Sequence, residues 1–380
     1  MKKVISLVVL FLIVCGLGLY FGKIVSAPEQ KIVKVEDKRN QQIVKKEEKI
    51  EGKITTTTAS LSAIGDILIH DRVYEPAQIG EGTYDFTPHL KNVQSLLKEA
   101  DITIANQESM IGGTEIGLST YPAFNSPYEV GDELKESGID LVTLANNHTL
   151  DRGEKAIQSA ISHWNQLGIP YTGAFLSEED KSNIRTIEKN DIVFSFLAYT
   201  YGTNGIETPK NKPYLVNRIE ESNIKQDIEK AGAISDVVVV SLHFGKEYER
   251  MPNEEQKQLA LDTANAGADI IIGHHPHVLQ PVEWIEREDG KRSFVAYSLG
   301  NFFTGQNEDY KDIGGVLKIN AEKNLKSGEI TIKEPSFVPT FVNKEYHVYP
   351  LEQVPDKEKV YEEIIKHMKT WVPELTFSFT

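Results

Sequence analysis

The chain opens on an uninterrupted apolar run. Lys2 and Lys3 precede an uncharged stretch from Val4 to Gly22, VISLVVLFLIVCGLGLYFG. A helix needs ~20 apolar residues to cross a bilayer, whereas the core of a cleaved signal peptide spans roughly 7–15. The run predicts an uncleaved single-pass anchor over residues 1–27. That reading is preferred to cleavage after Val25-Ser26-Ala27, and to lipidation at Cys15, which follows the bulky Val14. The leading lysines place the N-terminus in the cytoplasm and the remainder outside the cell. Residues 28–57 then turn to Lys, Glu and Gln with no sustained apolar face, which predicts a solvated linker.

Ordered patterning begins near Thr58, where TASLSAIGD reads as a strand running into a loop. Short apolar runs follow at Ile102–Ala105, Leu141–Ala145, Ile192–Ala198, Val237–Leu242, Ile270–Gly273 and Phe294–Ser298. Continuous runs such as VVVVSL suit strands buried on both faces. Between them, Val93–Glu99, Gly131–Ser137, Lys155–Leu167 and Glu254–Ala266 carry helical spacing, and Val354–Met368 reads as a closing helix. Strands alternating with helices predict an α/β fold, with one domain over residues 58–345 and a helical closure of it over 346–380.

Composition changes this picture in two places. With 41 basic and 56 acidic residues the formal charge is −15, which argues against nucleic acid as a partner and is compatible with cation binding. The single cysteine is Cys15, inside the apolar run, so a thiolate zinc site is excluded. Any metal must be held by His, Asp, Glu or Asn.

Candidate ligands of those types cluster at strand ends. Six of the ten histidines (His70, His148, His243, His274, His275 and His277) lie at or just after predicted strands. Open α/β sheets build their ligand sites outside the carboxyl ends of strands. Asp66 follows Gly65 in IGDILIH, and Asn106 and Glu108 follow in IANQES, two residues apart and so on one side of an extended segment. Asn147, His148 and Asp151 come next in LVTLANNHTLDRG, then His243 in VVVVSLHFGKEY. Each piece alone also fits a turn or a helix cap. Three imidazoles within four positions of IIIGHHPHV do not, because clustered imidazoles repel on protonation and are costly to bury unpaired. Asp151 and Glu247 are carboxylates placed to orient ligating histidines. Arg152, Lys246 and Arg250 stand beside these motifs and could receive an anion. YSLGNFF, with Asn301, reads as packing beneath the site, and Gly300-Asn301 also fits a plain turn.

Asp66, the NQES segment, ANNHTLDRG, SLHFGKEY, GHHPHV and YSLGNF occur in this order, and the ordered set resembles the CapA family of poly-γ-glutamate capsule synthesis proteins. That family is related to calcineurin-like metallophosphoesterases. The resemblance covers about residues 61–303 and implies a four-layer α/β/β/α sandwich. It implies metal ligands at Asp66, Glu108 (a bridging carboxylate), Asn147, His243, His275 and His277. It implies a catalytic role for His148, with Asp151 behind it. His70, Asn106, Arg152, Lys246, Glu247, His274 and Asn301 are the candidates for supporting the ligands or meeting substrate. Two departures stand out: Leu68 replaces the histidine of the usual Asp-x-His, and Glu108 replaces an aspartate. One divalent ion or two, and Mn, Zn or Fe, are left open.

Three functions follow as expectations. The first is a membrane-anchored, extracytoplasmic metal-binding factor of capsule synthesis or export, with the cytoplasmic membrane, an anionic polymer such as poly-γ-glutamate and other capsule-synthesis membrane proteins as partners. The second is an extracytoplasmic metal-dependent hydrolase of phosphoesters or amides. The third is a non-catalytic, metal-dependent polyanion-binding module.

Overall fold

A computed structural model describes residues 55–378. The expected anchor and nearly all of the expected linker lie outside the described residues. Among the described residues no helix is long and apolar enough to cross a membrane.

Short helical turns aside, the chain runs β1 (Thr56–Leu68), a hairpin of β2 (Gln78–Gly80) and β3 (Thr83–Tyr84), β4 (Ile102–Gln107), α1 (Glu129–Glu136), β5 (Leu141–Thr143), α2 (Gly153–Leu167) and β6 (Tyr171–Thr172). It continues through β7 (Arg185–Lys189), β8 (Ile192–Thr200), α3 (Glu221–Gly232), β9 (Val237–His243), α4 (Glu254–Asn265) and β10 (Ile270–His274). It finishes with β11 (Leu279–Glu286), β12 (Arg292–Leu299), β13 (Asn301–Thr304), β14 (Ile313–Asn324), β15 (Ile330–Val342), β16 (Val348–Pro350) and α5 (Glu358–Met368).

Two sheets form. One has the order β16-β15-β14-β1-β4-β5-β6, with β13 also paired to β1, and the other has the order β11-β12-β10-β9-β8-β7. The two-residue period of a strand explains how they pack. Along β9, Val237 and Val239 enter a core shared with Ala59, Leu61, Ala63 and Ile104 of the first sheet. Val238, Val240 and Leu242 point the other way, onto Ile224 and Ile228 of α3 and Ala260 and Ala264 of α4. The far face of the first sheet, through Ile64, Ala105 and Val142, packs on Val130 and Leu134 of α1 and on Ile157, Ile161 and Trp164 of α2. Both sheets are therefore covered on both faces, which is why their strands read as unbroken apolar runs. Trp164 is fully buried, and truncating it to alanine would cost about 3–5 kcal/mol.

The helix ends obey local chemistry. Asn253 caps α4 by accepting from the Gln256 N–H, and the Gln256 side chain returns the bond. Gly168 ends α2 at φ 70°, a conformation that costs glycine little. Two expected helices come out shorter. The stretch expected at Val93–Glu99 is a single turn, Gln94–Leu97. The closing helix starts at Glu358 rather than Val354, since Val354 precedes Pro355 and is held extended at φ −89°, ψ 117°.

Register brings the motifs together. Asp66 on β1 sits beside Asn106 of β4 and beside Asn301 of β13. In the other sheet Thr200, His243 and His274 lie side by side on β8, β9 and β10. Asn301 thus opens a paired strand rather than a plain turn. Two glycines make these approaches possible. A Cβ on Gly65 would lie 2.2 Å from the Gly300 carbonyl oxygen, and one on Gly273 would lie 2.0 Å from that of Tyr297.

Candidate metal centre

Asp66 and Glu108 sit at the centre, both fully buried. The Asp66 carboxylate is hydrogen-bonded at both oxygens. Its Oδ1 accepts from Asn106 Nδ2 and from His274 Nδ1, each at 2.9 Å, and its Oδ2 accepts from the His275 backbone N–H at 3.3 Å. His277 Nδ1 is 3.3 Å from Oδ2 and 3.0 Å from Asn301 Oδ1, so its proton faces these oxygens and Nε2 faces Glu108 Oε1 at 3.7 Å. Asn301 is itself fixed, donating to the Lys311 carbonyl at 2.8 Å and to Gln306 Oε1 at 3.1 Å.

Glu108 is the opposite case. Both of its oxygens are buried, and neither has a hydrogen-bond partner. A buried unpaired carboxylate is costly, and native structures keep one where an ion or a catalytic role compensates. His243 Nε2 lies 3.5 Å from Glu108 Oε1 and 2.8 Å from Asn147 Oδ1. His275 Nδ1 is also buried without a partner. Three overlapping groups each bring ligand atoms within 4.8 Å of one another: Glu108 with His243 and His275, Asp66 with Glu108 and His277, and Glu247 with His275 and His277. Glu108 belongs to two of them. The donor set of carboxylate, imidazole and amide oxygen suits a divalent transition ion, and the orphaned oxygens fit a cation between them.

Titration follows the same asymmetry. Burial opposes ionisation of Asp66, yet the His274 and His277 hydrogen bonds hold its carboxyl well below the usual range. Burial pushes Glu108 well above that range, and the Asp66 charge adds to the push while His277 resists it. Burial alone would lower His277, but Glu108 and Asp66 raise it to about 9. Burial, reinforced by neighbouring imidazoles, lowers His243 strongly and takes His275 to about 3. Neutral imidazoles of this kind present lone pairs to a metal.

His148 stands at the edge of this cluster. Its Nδ1 donates to Asp151 Oδ2 at 2.7 Å, and Asp151 also accepts from the Phe124 N–H at 2.8 Å. The ring lies edge-on to Phe124 at 4.7 Å, and Phe124 meets His70 the same way at 5.0 Å. His70 turns its Nδ1 toward the Leu68 carbonyl at 3.0 Å and the Gly305 N–H at 3.2 Å, and burial lowers it to about 4. Arg152 is engaged by its own loop, donating to the Gly117 carbonyl at 3.0 Å and the Ile116 carbonyl at 2.8 Å. Lys246 is exposed beside Glu249, 3.7 Å away. Arg250 pairs with Glu363 at 2.7 Å and covers the Tyr310 ring at 4.0 Å.

Sequence reasoning passed over one loop. The Tyr201 ring lies 4.7 Å from that of His275, tilted by 44°, while Asn204 accepts from Asn147 Nδ2 at 3.2 Å and lies 3.3 Å from His148 Nδ1. The signal was present in Tyr201-Gly202-Thr203-Asn204-Gly205, a polar glycine-rich run directly after buried β8. Backbone conformation marks the same place, with positive φ at Asn204 (49°), Tyr248 (68°), His275 (99°) and His277 (58°). Such angles in non-glycine residues concentrate at functional sites.

Comparison with known proteins bears on this arrangement. The chain is 33% identical over 193 residues to the PGA biosynthesis protein CapA of Bacillus subtilis (strain 168), a match spanning 50% of this chain and 49% of that protein. It is 28% identical over 327 residues to the capsule biosynthesis protein CapA of Bacillus anthracis, spanning 81% of this chain and 73% of that one. Among solved structures it is similar to the calcineurin-like phosphoesterase YfkN from Bacillus subtilis, at 14% identity and a TM-score of 0.43, covering 83% of this chain and 100% of that chain. A phosphatase from Mycoplasma pneumoniae aligns with a TM-score of 0.44 at 14% identity, covering 74% and 93%. The family model for the bacterial capsule synthesis protein PGA_cap matches residues 60–306, which contain every ligand candidate named above, and the chain belongs to that family.

Proposed function

We propose that the protein is a metal-dependent factor of poly-γ-glutamate capsule synthesis or export, anchored by residues 1–27 and displayed on the outer face of the cytoplasmic membrane. The observation that carries the metal half of this reading is Glu108, with both oxygens buried and unpaired between His243 and His277. The capsule half rests on family membership and on the names of the Bacillus relatives. Asn147, His243, His275 and Glu108 would hold one ion, and Asp66, Glu108 and His277 a second. A bound divalent ion supplies positive charge for an anionic substrate and polarises the group it contacts. Asn301 and Asp66 fix the His277 ring so that its Nε2 faces the cluster, and the sheet register sets His243 beside His274.

A second reading, hydrolysis of a phosphoester or amide, is favoured by the pair of His148 and Asp151. With Nδ1 committed to Asp151, the proton chemistry of His148 is confined to Nε2. When protonated there it can give that proton to a departing oxygen or nitrogen, and Asp151 offsets the charge. The deciding experiment measures surface polymer in a deletion host complemented with wild type, Glu108→Gln or His148→Ala, together with metal content of the purified proteins. Restoration by His148→Ala but not by Glu108→Gln supports a metal-dependent, non-hydrolytic factor. Failure of both, with turnover of a model substrate by wild type alone, supports the hydrolase. Full restoration by Glu108→Gln would reject a role for the metal.

A further inference from the structure

The loop that braces His277 also walls a cavity. Asn301, which accepts from His277 Nδ1, is tied to Gln306 and to the Lys311 carbonyl. The same loop lines a half-open cavity of 750 Å³ together with the end of β15, the turn after it and the start of α5. Its size falls in the range of ordinary small-ligand sites. The loop is held in a conformation side chains rarely adopt, with Glu308, Asp309 and Tyr310 at φ 61°, 48° and 65° in succession. Such a run persists only where the surroundings impose it.

The lining has a definite chemistry. Phe341, Tyr346 and Val360 give apolar walls. Asp312 and Lys357 are both half-buried there, and among the described residues neither has an ion-pair partner within 4.0 Å. The Lys357 ammonium instead rests 4.5 Å over the Phe341 ring. Glu308, Asp309, Lys344 and Glu345 also line the cavity but are exposed, so Asp312 and Lys357 are its only half-buried charges among the described residues, and one such acid with one such base complements a ligand that carries both charges on neighbouring atoms. An interior segment of an acidic polymer does not, because it brings carboxylates and amides only. In a γ-linked glutamyl chain a single residue differs: the amino-terminal one keeps both its α-ammonium and its α-carboxylate.

We propose that this cavity binds an α-amino-acid head group, the amino-terminal residue of a γ-linked glutamyl chain, with Asp312 facing its ammonium, Lys357 its carboxylate, and Phe341, Tyr346 and Val360 packing its methylenes. The assignment rests on the polymer reading above and adds to it which end of the chain is held and where. Because the cavity and the metal centre share the Gln306–Lys311 loop, a docked terminus also stiffens the support of His277.

The test is calorimetric titration of the detergent-solubilised full-length protein with γ-linked triglutamate, its N-acetylated form and free glutamate. N-acetylation removes the ammonium and is expected to weaken binding about tenfold or more, since it leaves Asp312 without its partner. Asp312→Asn should bind the free and acetylated trimers alike, and Lys357→Ala should weaken both, with Mn²⁺ uptake unchanged in each variant. Free glutamate binding as tightly as the trimer would still support the head-group site but confine recognition to one residue. Equal binding of free and acetylated trimer by wild type overturns the head-group assignment even if no variant folds, and leaves the polymer reading standing. No binding of any glutamyl ligand, with Mn²⁺ uptake intact, overturns both.

Discussion

Two groups of histidines lie wholly or partly inside the molecule, and they differ in what surrounds them. At the candidate metal centre, His243, His275 and His277 share their pocket with Asp66 and Glu108. Under the first sheet, His89 and His347 meet edge-on at 5.3 Å among Phe86 and Phe303, and His89 Nδ1 is buried without a partner. Burial lowers His89 to about 4, much as it lowers His275 to about 3, so each group contains a neutral imidazole. Neutral imidazole is therefore not enough to mark a ligand site. What separates the two is a carboxylate within ligand reach: Asp66 and Glu108 join the first group, whereas Asp85, half-buried, acts on His89 only electrostatically, and among the described residues His89 belongs to no such cluster.

The sharpest way to break this comparison is Glu108→Gln, which keeps the shape and removes the charge. Metal affinity should fall by about 100-fold or more by calorimetry, while His89→Phe leaves it unchanged. Next in size, Gly273→Ala would drive a Cβ to 2.0 Å from the Tyr297 carbonyl and should lower stability by about 3 kcal/mol in urea unfolding, upper-range for overpacking because the obstacle is backbone. Asn301→Ala frees the Nδ1 face of His277 and should cost about 10-fold in metal affinity with little loss of stability, at the lower end for a residue that orients a ligand.

The smallest effect concerns the other group. His89 has a folded pKa of about 4 against 6.5 when unfolded, so between those values the unfolded chain binds the extra proton. Its contribution to stability is complete above pH 6.5 and is lost as the pH falls toward 4. His89→Phe should remove roughly 1–2 kcal/mol of that decline, read as a smaller shift in melting temperature between pH 7 and pH 5. An unchanged shift would mean that the pair stays solvated.

The site was legible in the chain wherever an apolar run stops abruptly at a polar residue. Val237–Leu242 and Ile270–Gly273 predict strands that in fact extend one residue further, through His243 and His274. Doubly buried strands need long apolar runs, and a histidine at the end of one contrasts with everything before it. The loop that carries Asn204 was marked by its glycine-rich run after β8, but the roles of Asn204 and Gln306 were not legible, because they depend on which loops meet. A glycine-rich turn looks the same whether it faces solvent or a histidine. The division of strands into two sheets was equally hidden, since residues such as Val237 and Val238 are alike in sequence and differ only in the core each enters.

The alignment of Asp66 with Asn106 and Asn301, and of His243 with His274, has a consequence for how this chain can change. The positions of these side chains are specified by hydrogen-bond register, not by the lengths of the connections between strands. An insertion in a connection clear of Glu108, Asn147, His275 and His277, which sit just past their strand ends, leaves these side chains where they were. A single residue added within β1 before Asp66 would turn that carboxylate to the opposite face of the sheet. The connections beyond those strand ends are therefore free to diversify around a centre anchored at the ends of the strands.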